Sequence, residues 1–124
     1  MESCFPCPCC GSLEFSGPPG SYEICAICLW EDDALQLEFA TSLAGGANGP
    51  TVAVAQANYR AFGACEARFR RQVRRPTTDD VRDPGWRPID PARDTFEDWD
   101  ADPRRRAPPD SELFYWRPGF WRRH

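Results

Sequence analysis

Two Cys-x-x-Cys pairs near the start of the chain constrain its fold more than any other feature. The first pair ends at Cys10 and is followed by Gly11, and the second pair begins at Cys25. Two residues between cysteines let both sulfurs turn toward one ion, and a second pair completes a tetrahedral shell. The spacing therefore predicts one structural zinc ion, and the predicted ligands are Cys7, Cys10, Cys25 and Cys28.

The other cysteines leave alternatives open. Cys9 lies inside the first pair and is expected to point away from the ion, although it is also an alternative ligand. Cys4 and Cys7 offer a different first pair. Cys65 is expected to be a small buried residue, with a redox role as the alternative. A reactive or disulfide-forming cluster is the competing interpretation of all these thiols. A closed four-cysteine shell leaves no position for water or substrate, so the ion is predicted to be structural.

The composition favours a small domain stabilised by metal over a large hydrophobic core. The chain has 124 residues, of which 13 are Pro and 9 are Gly. Metal binding contributes folding free energy where apolar burial is limited. Residues 1–90 are predicted to form the zinc-binding domain. Residues 91–124 are predicted to be a Pro/Arg/aromatic-rich extension that is partly ordered at most and wraps the domain in part.

The cysteine content also bears on location. Seven cysteines without an export signal predict a reduced, cytoplasmic protein. No stretch approaches the roughly 18 apolar residues that span a bilayer, so no membrane is expected as a partner.

Turn and alternation signals predict a hairpin between the cysteine pairs. Residues 12–15 and 21–24 alternate apolar and polar side chains around a Gly-Pro-Pro-Gly turn. Knuckle, hairpin and knuckle in this order are typical of a zinc ribbon. Residues 35–39 alternate again and predict a third strand.

One amphipathic helix is predicted after the ribbon. Thr51 is well placed as an N-cap, and apolar residues recur at helical spacing from Val52 to Phe62. Gly63 suits the left-handed position that ends a helix. A second short helix is predicted over residues 66–73. The predicted fold class is therefore small α+β: a Cys4 zinc ribbon with one packed helix and a Pro/Trp-rich C-terminal extension.

A second group of polar residues follows the second cysteine pair. It forms a candidate recognition patch or hard-cation site, consisting of Trp30, Glu31, Asp32 and Asp33 with Asn48 nearby. In the alternative, structural interpretation, Trp30 covers the ribbon and the carboxylates accept backbone amides, as carboxylates in turns commonly do. The structural interpretation is favoured. The only histidine is His124, and no nucleophile–histidine or phosphate-loop motif is present, so no catalytic residue is predicted.

A basic strip follows the predicted helix. Its members are Arg68, Arg70, Arg71, Arg74 and Arg75, interleaved with Phe69. Nucleic-acid contact is one interpretation of this charge. Pairing with the acidic N-terminal half is simpler, because residues 1–50 carry seven carboxylates and no Arg, and the net charge of −4 disfavours nucleic acid.

Several ordered motifs resemble one family. They are Cys7-Pro-Cys-Cys-Gly11, Tyr22-Glu-Ile-Cys25-x-x-Cys28-x-Trp30-Glu-Asp-Asp33, Gly45-Gly-Ala-Asn-Gly49, Asn58-Tyr-Arg60 and Arg82-Asp-Pro-x-Trp86. Over about residues 4–88 the chain is similar to the cysteine-rich CPCC family of small bacterial proteins. Val54 departs from that pattern, which favours an acidic capping residue there. The resemblance implies the ribbon and its zinc, and implies no established activity.

Three hypotheses about function follow. The leading prediction is a non-enzymatic, zinc-stabilised interaction module that binds a protein through the Trp30–Asp33 patch or the tail aromatics, since aromatics are enriched at protein interfaces. An adaptor- or immunity-like role in a bacterium is its speculative extension. The first alternative is nucleic-acid binding through the Arg68–Arg75 strip. The second is an enzyme that holds Mg²⁺ or Mn²⁺ at Glu31–Asp33.

Overall fold

Short elements of regular structure alternate with long irregular segments. The computed structural model describes residues 5–101 and 105–122. Its elements are β1 (Phe5–Pro6), β2 (Leu13–Phe15), α1 (Ala34–Glu38), α2 (Val52–Phe62) and one 3-10 turn (Ala67–Phe69). The predicted fold class is confirmed: the fold is small and mixed α+β, with a two-stranded antiparallel hairpin, one main helix and a four-cysteine cluster. No helix in the described ranges is long and apolar enough to cross a membrane.

The first cysteine pair is itself the turn of the hairpin. Phe5 of β1 lies opposite Phe15 of β2, so β2 does not pair with residues 21–24. The Cys7 N–H donates to the Ser12 carbonyl at 2.8 Å, and the Gly11 N–H donates to the Cys7 carbonyl at 2.7 Å. The predicted strand partners are therefore wrong, because the knuckle folds the chain back at once and β2 meets the residues just before it.

Residues 21–24 find their partners beyond the second cysteine pair. The Tyr22 N–H donates to the Asp32 carbonyl at 3.0 Å, and the Cys25 N–H donates to the Trp30 carbonyl at 2.9 Å. Ile24 forms an isolated antiparallel bridge with Glu31. Each cysteine pair thus closes its own local turn, which costs less chain entropy than a longer loop.

The predicted third strand is also wrong, because those residues form α1. The Asp33 carboxylate caps this helix and accepts the N–H groups of Leu35 and Gln36 at 2.9 and 3.2 Å. The Gln36 side chain is fully buried, and its amide donates to the carbonyls of Leu43 and Pro50, each at 3.1 Å. Helix α1 is stabilised by this cap and by a polar network that reaches the following loop.

The prediction of α2 is confirmed at both ends. The Thr51 hydroxyl accepts the Val54 N–H at 3.1 Å, and Gly63 adopts a φ of 80° with its N–H bonded to the Tyr59 carbonyl at 2.8 Å. The second predicted helix is shorter than expected, since only Ala67–Phe69 form a 3-10 turn.

Two groups of buried side chains make up the core. The first surrounds the cysteines and includes Phe15, Trp30 and Val52. The second joins Leu37 of α1 to aromatic residues of the extension, namely Phe114, Tyr115, Trp116 and Phe120. These four aromatics are at most 8% exposed, so this part of the extension is packed on the fold. The division of the chain at residue 90 stays a prediction.

Gln56 on α2 connects the two parts of the core. Its side-chain amide donates to the Pro8 carbonyl and to the Tyr115 hydroxyl, each at 2.9 Å. Its side-chain oxygen accepts the Ile89 N–H at 2.8 Å. The Pro8 carbonyl also accepts the Trp86 indole N–H at 3.0 Å. One buried glutamine therefore ties the first knuckle, the main helix and the extension together.

Candidate metal centre

The structure brings together the four cysteines that the sequence predicts as ligands. The sulfurs of Cys7, Cys10, Cys25 and Cys28 all lie within 4.8 Å of one another, and all four residues are fully buried. The Sγ atoms of Cys7 and Cys28 are 3.6 Å apart, and those of Cys10 and Cys25 are 3.7 Å apart. Thiols from both knuckles therefore converge on one point.

The two knuckles have equivalent backbones, although only one contains glycine. Gly11 follows the first pair with a φ of 85°, and Leu29 follows the second with a φ of 69°. The N–H of each residue donates to the carbonyl of the first cysteine of its pair, at 2.7 Å for Gly11 and 2.9 Å for Leu29. Leu29 packs against the core, and this contact offsets the strain of a left-handed leucine.

Gly11 is required for a second reason. A Cβ atom at this position would lie 2.6 Å from Cδ2 of Trp86. The indole of Trp86 thus covers the first knuckle in the space that the missing side chain leaves. The absence of a Cβ permits both the left-handed turn and this close approach.

Burial and mutual contact strongly shift the pKa values of the cysteine thiols. Burial is the main cause that raises the pKa of Cys7 and of Cys28 well above the ordinary range of a cysteine thiol. Hydrogen bonds with the thiols of Cys25, Cys28 and Cys7 lower the pKa of Cys10 well below that range. Four thiolates would repel one another in this buried position, so a bound cation is what allows all of them to ionise.

The donor set fits a tetrahedral zinc ion. With Zn–S bonds of about 2.3 Å, the sulfurs of a regular tetrahedron are about 3.8 Å apart. The two measured separations, 3.6 and 3.7 Å, are close to that value. These residues would hold one ion and fill all four of its positions, which is the arrangement of a structural site.

The other two described cysteines, Cys9 and Cys65, lie outside this group. The Cys9 thiol donates to the Ala55 carbonyl at 3.3 Å, so it is directed toward α2. The Cys65 N–H donates to the Cys28 carbonyl at 2.9 Å, and burial raises the pKa of the Cys65 thiol to about 12. A thiol of that pKa is a poor nucleophile at neutral pH. Cys4, the member of the alternative first pair, lies outside the described residues.

The residues of the predicted recognition patch make hydrogen bonds within the fold. Trp30 is fully buried, and the Asp32 carboxylate accepts the hydroxyl and the N–H of Ser21 at 2.6 and 3.2 Å. The Asn48 side-chain amide bonds to both backbone groups of Glu31, each at 2.8 Å. Asp33 caps α1 and also accepts the Ala47 N–H at 3.0 Å. These contacts are the ones that the structural interpretation describes, and the recognition patch and the second metal site stay predictions.

The basic strip is paired only in part. Arg68 lies 3.2 Å from the carboxylate of Glu66, and Arg74 lies 2.7 Å from that of Asp80. Arg74 is also 4.0 Å from Glu14, which is the one ion pair between the strip and the acidic ribbon in the described ranges. Arg70, Arg71 and Arg75 are exposed. The expected pairing with the acidic half is thus limited to one residue.

The sequence interpretation missed the buried glutamines. Gln36 and Gln56 are at most 3% exposed and organise the loops around the metal centre. A signal existed for Gln56, because it lies four residues after Val52 on the predicted core face of the helix. A polar side chain on such a face requires a buried hydrogen-bond partner.

Comparisons with known proteins identify the family. No curated protein and no solved structure matches the chain. The family model described as cysteine-rich CPCC matches residues 5–80, which is more than half of the chain and includes both cysteine pairs and α2. The chain therefore belongs to the cysteine-rich CPCC family.

Proposed function

We propose that this chain is a non-enzymatic interaction module that is stabilised by one zinc ion and binds a protein in a reducing, cytoplasmic environment. The four buried sulfurs support zinc, because their number, chemistry and spacing suit a closed tetrahedral shell. The carboxylates of Asp32 and Asp33 already accept hydrogen bonds from Ser21, Leu35 and Ala47, which argues against a second, catalytic ion at Glu31–Asp33.

The main observation that supports protein binding is the exposed surface next to the second knuckle. Tyr22 is 61% exposed and Ile24 is 59% exposed, immediately before the buried Cys25. Tyr22 adopts a φ of 59°, which is a rare and strained conformation for an aromatic residue. Backbone hydrogen bonds to residues 30–32 hold this conformation. Strained backbone conformations cluster at functional sites, and this one presents an aromatic side chain to solvent.

This surface differs from the two that the sequence suggested. The Trp30–Asp33 patch is engaged in the fold, and the tail aromatics Phe114, Tyr115, Trp116 and Phe120 are buried. Tyr22 and Ile24 remain exposed, and backbone hydrogen bonds to residues 30–32 hold the segment that carries them. A preorganised aromatic anchor loses little entropy when it binds a partner.

Native mass spectrometry of protein purified under reducing conditions tests the identity and number of the bound metal ions. The expected result is one zinc per chain, with four thiol protons displaced, and no further ion when Mg²⁺ or Mn²⁺ is titrated. A second bound divalent ion that is lost in Asp32→Asn would contradict the non-enzymatic assignment. A mass deficit from disulfides with no zinc would contradict the metal.

The protein surface is tested by affinity capture with immobilised, zinc-loaded chain and quantitative mass spectrometry of what is retained. Ile24→Ser is compared with Val81→Ser, because Val81 has the same exposure of 59% and lies outside the second knuckle. The expected result is a set of proteins retained by the wild type and Val81→Ser but lost from Ile24→Ser. Equal retention by both variants would rule out this surface as the binding site.

A further inference from the structure

A basic, aromatic-walled groove lies at the C-terminal end of α2, on a part of the fold that the proposed protein surface does not use. The last turn of α2 forms one wall and residues 70–76 form the other, around a cavity of about 450 Å³. Its lining includes Arg60, Arg70, Arg74, Tyr59 and Phe62. A volume of this size is within the usual range for a small-ligand site.

The charge of this groove is largely uncompensated. Arg74 is paired with Asp80 at 2.7 Å, but Arg60, Arg70 and Arg75 have no carboxylate partner in the described ranges. No carboxylate is among the lining residues. The negative end of the α2 dipole, equivalent to about half a charge, opposes an anion here, but three guanidinium groups outweigh it. The groove is therefore suited to an anion.

The aromatic side chains that line the groove indicate which kind of anion it suits. Tyr59 and Phe62 are half-buried and line the same cavity, and the guanidinium of Arg70 lies 5.3 Å from the centre of the Phe62 ring. An inorganic phosphate would use the arginines and leave both rings without a role. A ligand that carries a flat ring beside a phosphate would use both kinds of group, because bases stack on aromatic and guanidinium planes.

We infer that this groove binds a nucleotide unit, with its phosphate on Arg60, Arg70 and Arg75 and its base against Phe62 or Tyr59. The unit is either a free nucleotide or one residue of a single-stranded RNA or DNA. The acidic remainder of the chain would repel a long duplex, whereas a short strand can lie over the groove alone.

Fluorescence anisotropy of the zinc-loaded full chain with a labelled single strand of about eight nucleotides tests this inference at low salt. Three phosphate contacts predict a slope of about −2 for log affinity against log salt, and each lost contact reduces its magnitude by about 0.7. Arg70→Ala is expected to show that reduction. The matched control is Arg93→Ala, which removes the same charge from an exposed position outside the groove.

Recognition of the base is tested separately from recognition of the phosphate. Phe62→Leu is expected to weaken binding about five- to hundredfold with the salt slope unchanged. Its helix content and metal stoichiometry are compared with the wild type, and Tyr59→Leu provides a second ring deletion if Phe62→Leu is unstable. Adenosine monophosphate as competitor distinguishes the two sources: full displacement indicates a free nucleotide, and no displacement indicates a strand.

Three results would overturn the inference. The first is equal loss of binding in Arg70→Ala and Arg93→Ala, which would show attraction without a site. The second is displacement of the strand by a phosphopeptide as effectively as by nucleotides, which would show a phosphate site without base recognition. The third is the absence of any salt-dependent binding by the wild type.

Discussion

Replacing Gln56 by leucine should destabilise the fold and loosen the extension at the same time. The change removes three hydrogen bonds, to Pro8, Tyr115 and Ile89, at a net cost of about 1 kcal/mol each. Pro8 keeps the Trp86 indole as a partner, and the Tyr115 hydroxyl keeps a backbone carbonyl. Only the Ile89 N–H, which is partly buried, loses its acceptor outright, and this loss costs up to about 1–3 kcal/mol more.

Leucine recovers part of this cost, since it adds apolar surface at a position only 3% exposed. The expected net loss is about 2–4 kcal/mol of unfolding free energy. Urea denaturation at neutral pH measures it, with zinc in equal excess for each protein because bound metal stabilises the native state. Limited trypsin digestion provides a second readout, and cleavage after Arg106, which precedes Ala107 in the extension, should precede loss of the four-cysteine core.

The control is Gln72→Leu, the same substitution at an exposed position whose cost should stay within about 0.5 kcal/mol. If Gln56→Leu costs no more than Gln72→Leu, the network does not contribute to stability. If the cost is large but tryptic cleavage of the extension is unchanged, Gln56 supports the core without holding the extension.

Three further predictions concern the metal centre and the extension. Gly11→Ala should cost about 2–4 kcal/mol in urea, whereas Gly45→Ala, which has a similar φ of 74° and no neighbour within 4 Å, should cost only about 1 kcal/mol. Equal costs would contradict the contact with the indole. Cys65→Ser should keep one zinc per chain by native mass spectrometry and Cys10→Ser should lose it, and equal stoichiometry would exclude the proposed ligand set. The carboxylate of Asp94 lies 2.7 Å from the guanidinium of Arg87. Burial acts to raise its pKa, but hydrogen bonds from Arg87 and from the Asp90 N–H outweigh burial and hold the pKa below its ordinary 3.8. The stability that Asp94 contributes is present above the ordinary pKa of 3.8, which applies to the unfolded chain. It is lost only as pH falls through the lower pKa of the folded protein. The stability difference between wild type and Asp94→Asn should therefore stay constant from about pH 7 to pH 5, and a decline within that range would contradict the pairing.

The parts of the fold that could be predicted depend on local signals. Helix α2 has its cap, its apolar spacing and its terminal glycine within a single stretch from Thr51 to Gly63, so the sequence was sufficient. The four sulfurs were predictable for a similar reason, since the spacing within each pair restricts where the thiols can point.

The parts that were mispredicted depend on distant contacts. Residues 35–39 alternate like a strand, yet the Asp33 cap and the buried Gln36 network with Asn48 make them helical. The partner of β2 could not be derived from alternation, because residues 5–6 and 21–24 are both suitable and only the geometry of the first knuckle selects between them. Tertiary contacts override weak local preference in both cases.

The extension shows a mixed outcome. Its number of aromatic residues predicted that part of it wraps the domain, and residues 114–120 contribute buried rings. No signal in the sequence indicated that Tyr115 would contact a glutamine bonded to the first knuckle. Such a contact joins residues more than fifty positions apart, and no periodic pattern encodes it.

The bridge through Gln56 makes metal affinity a property of the whole chain. The glutamine contacts Pro8, inside the first knuckle, and Tyr115, in the extension. If docking of the extension tightens the hold on the ion by some factor, thermodynamic reciprocity requires the ion to tighten docking by the same factor. A protease, a modification or a partner that lifts residues 114–120 away would then promote metal release, although it acts about a hundred positions from the thiols.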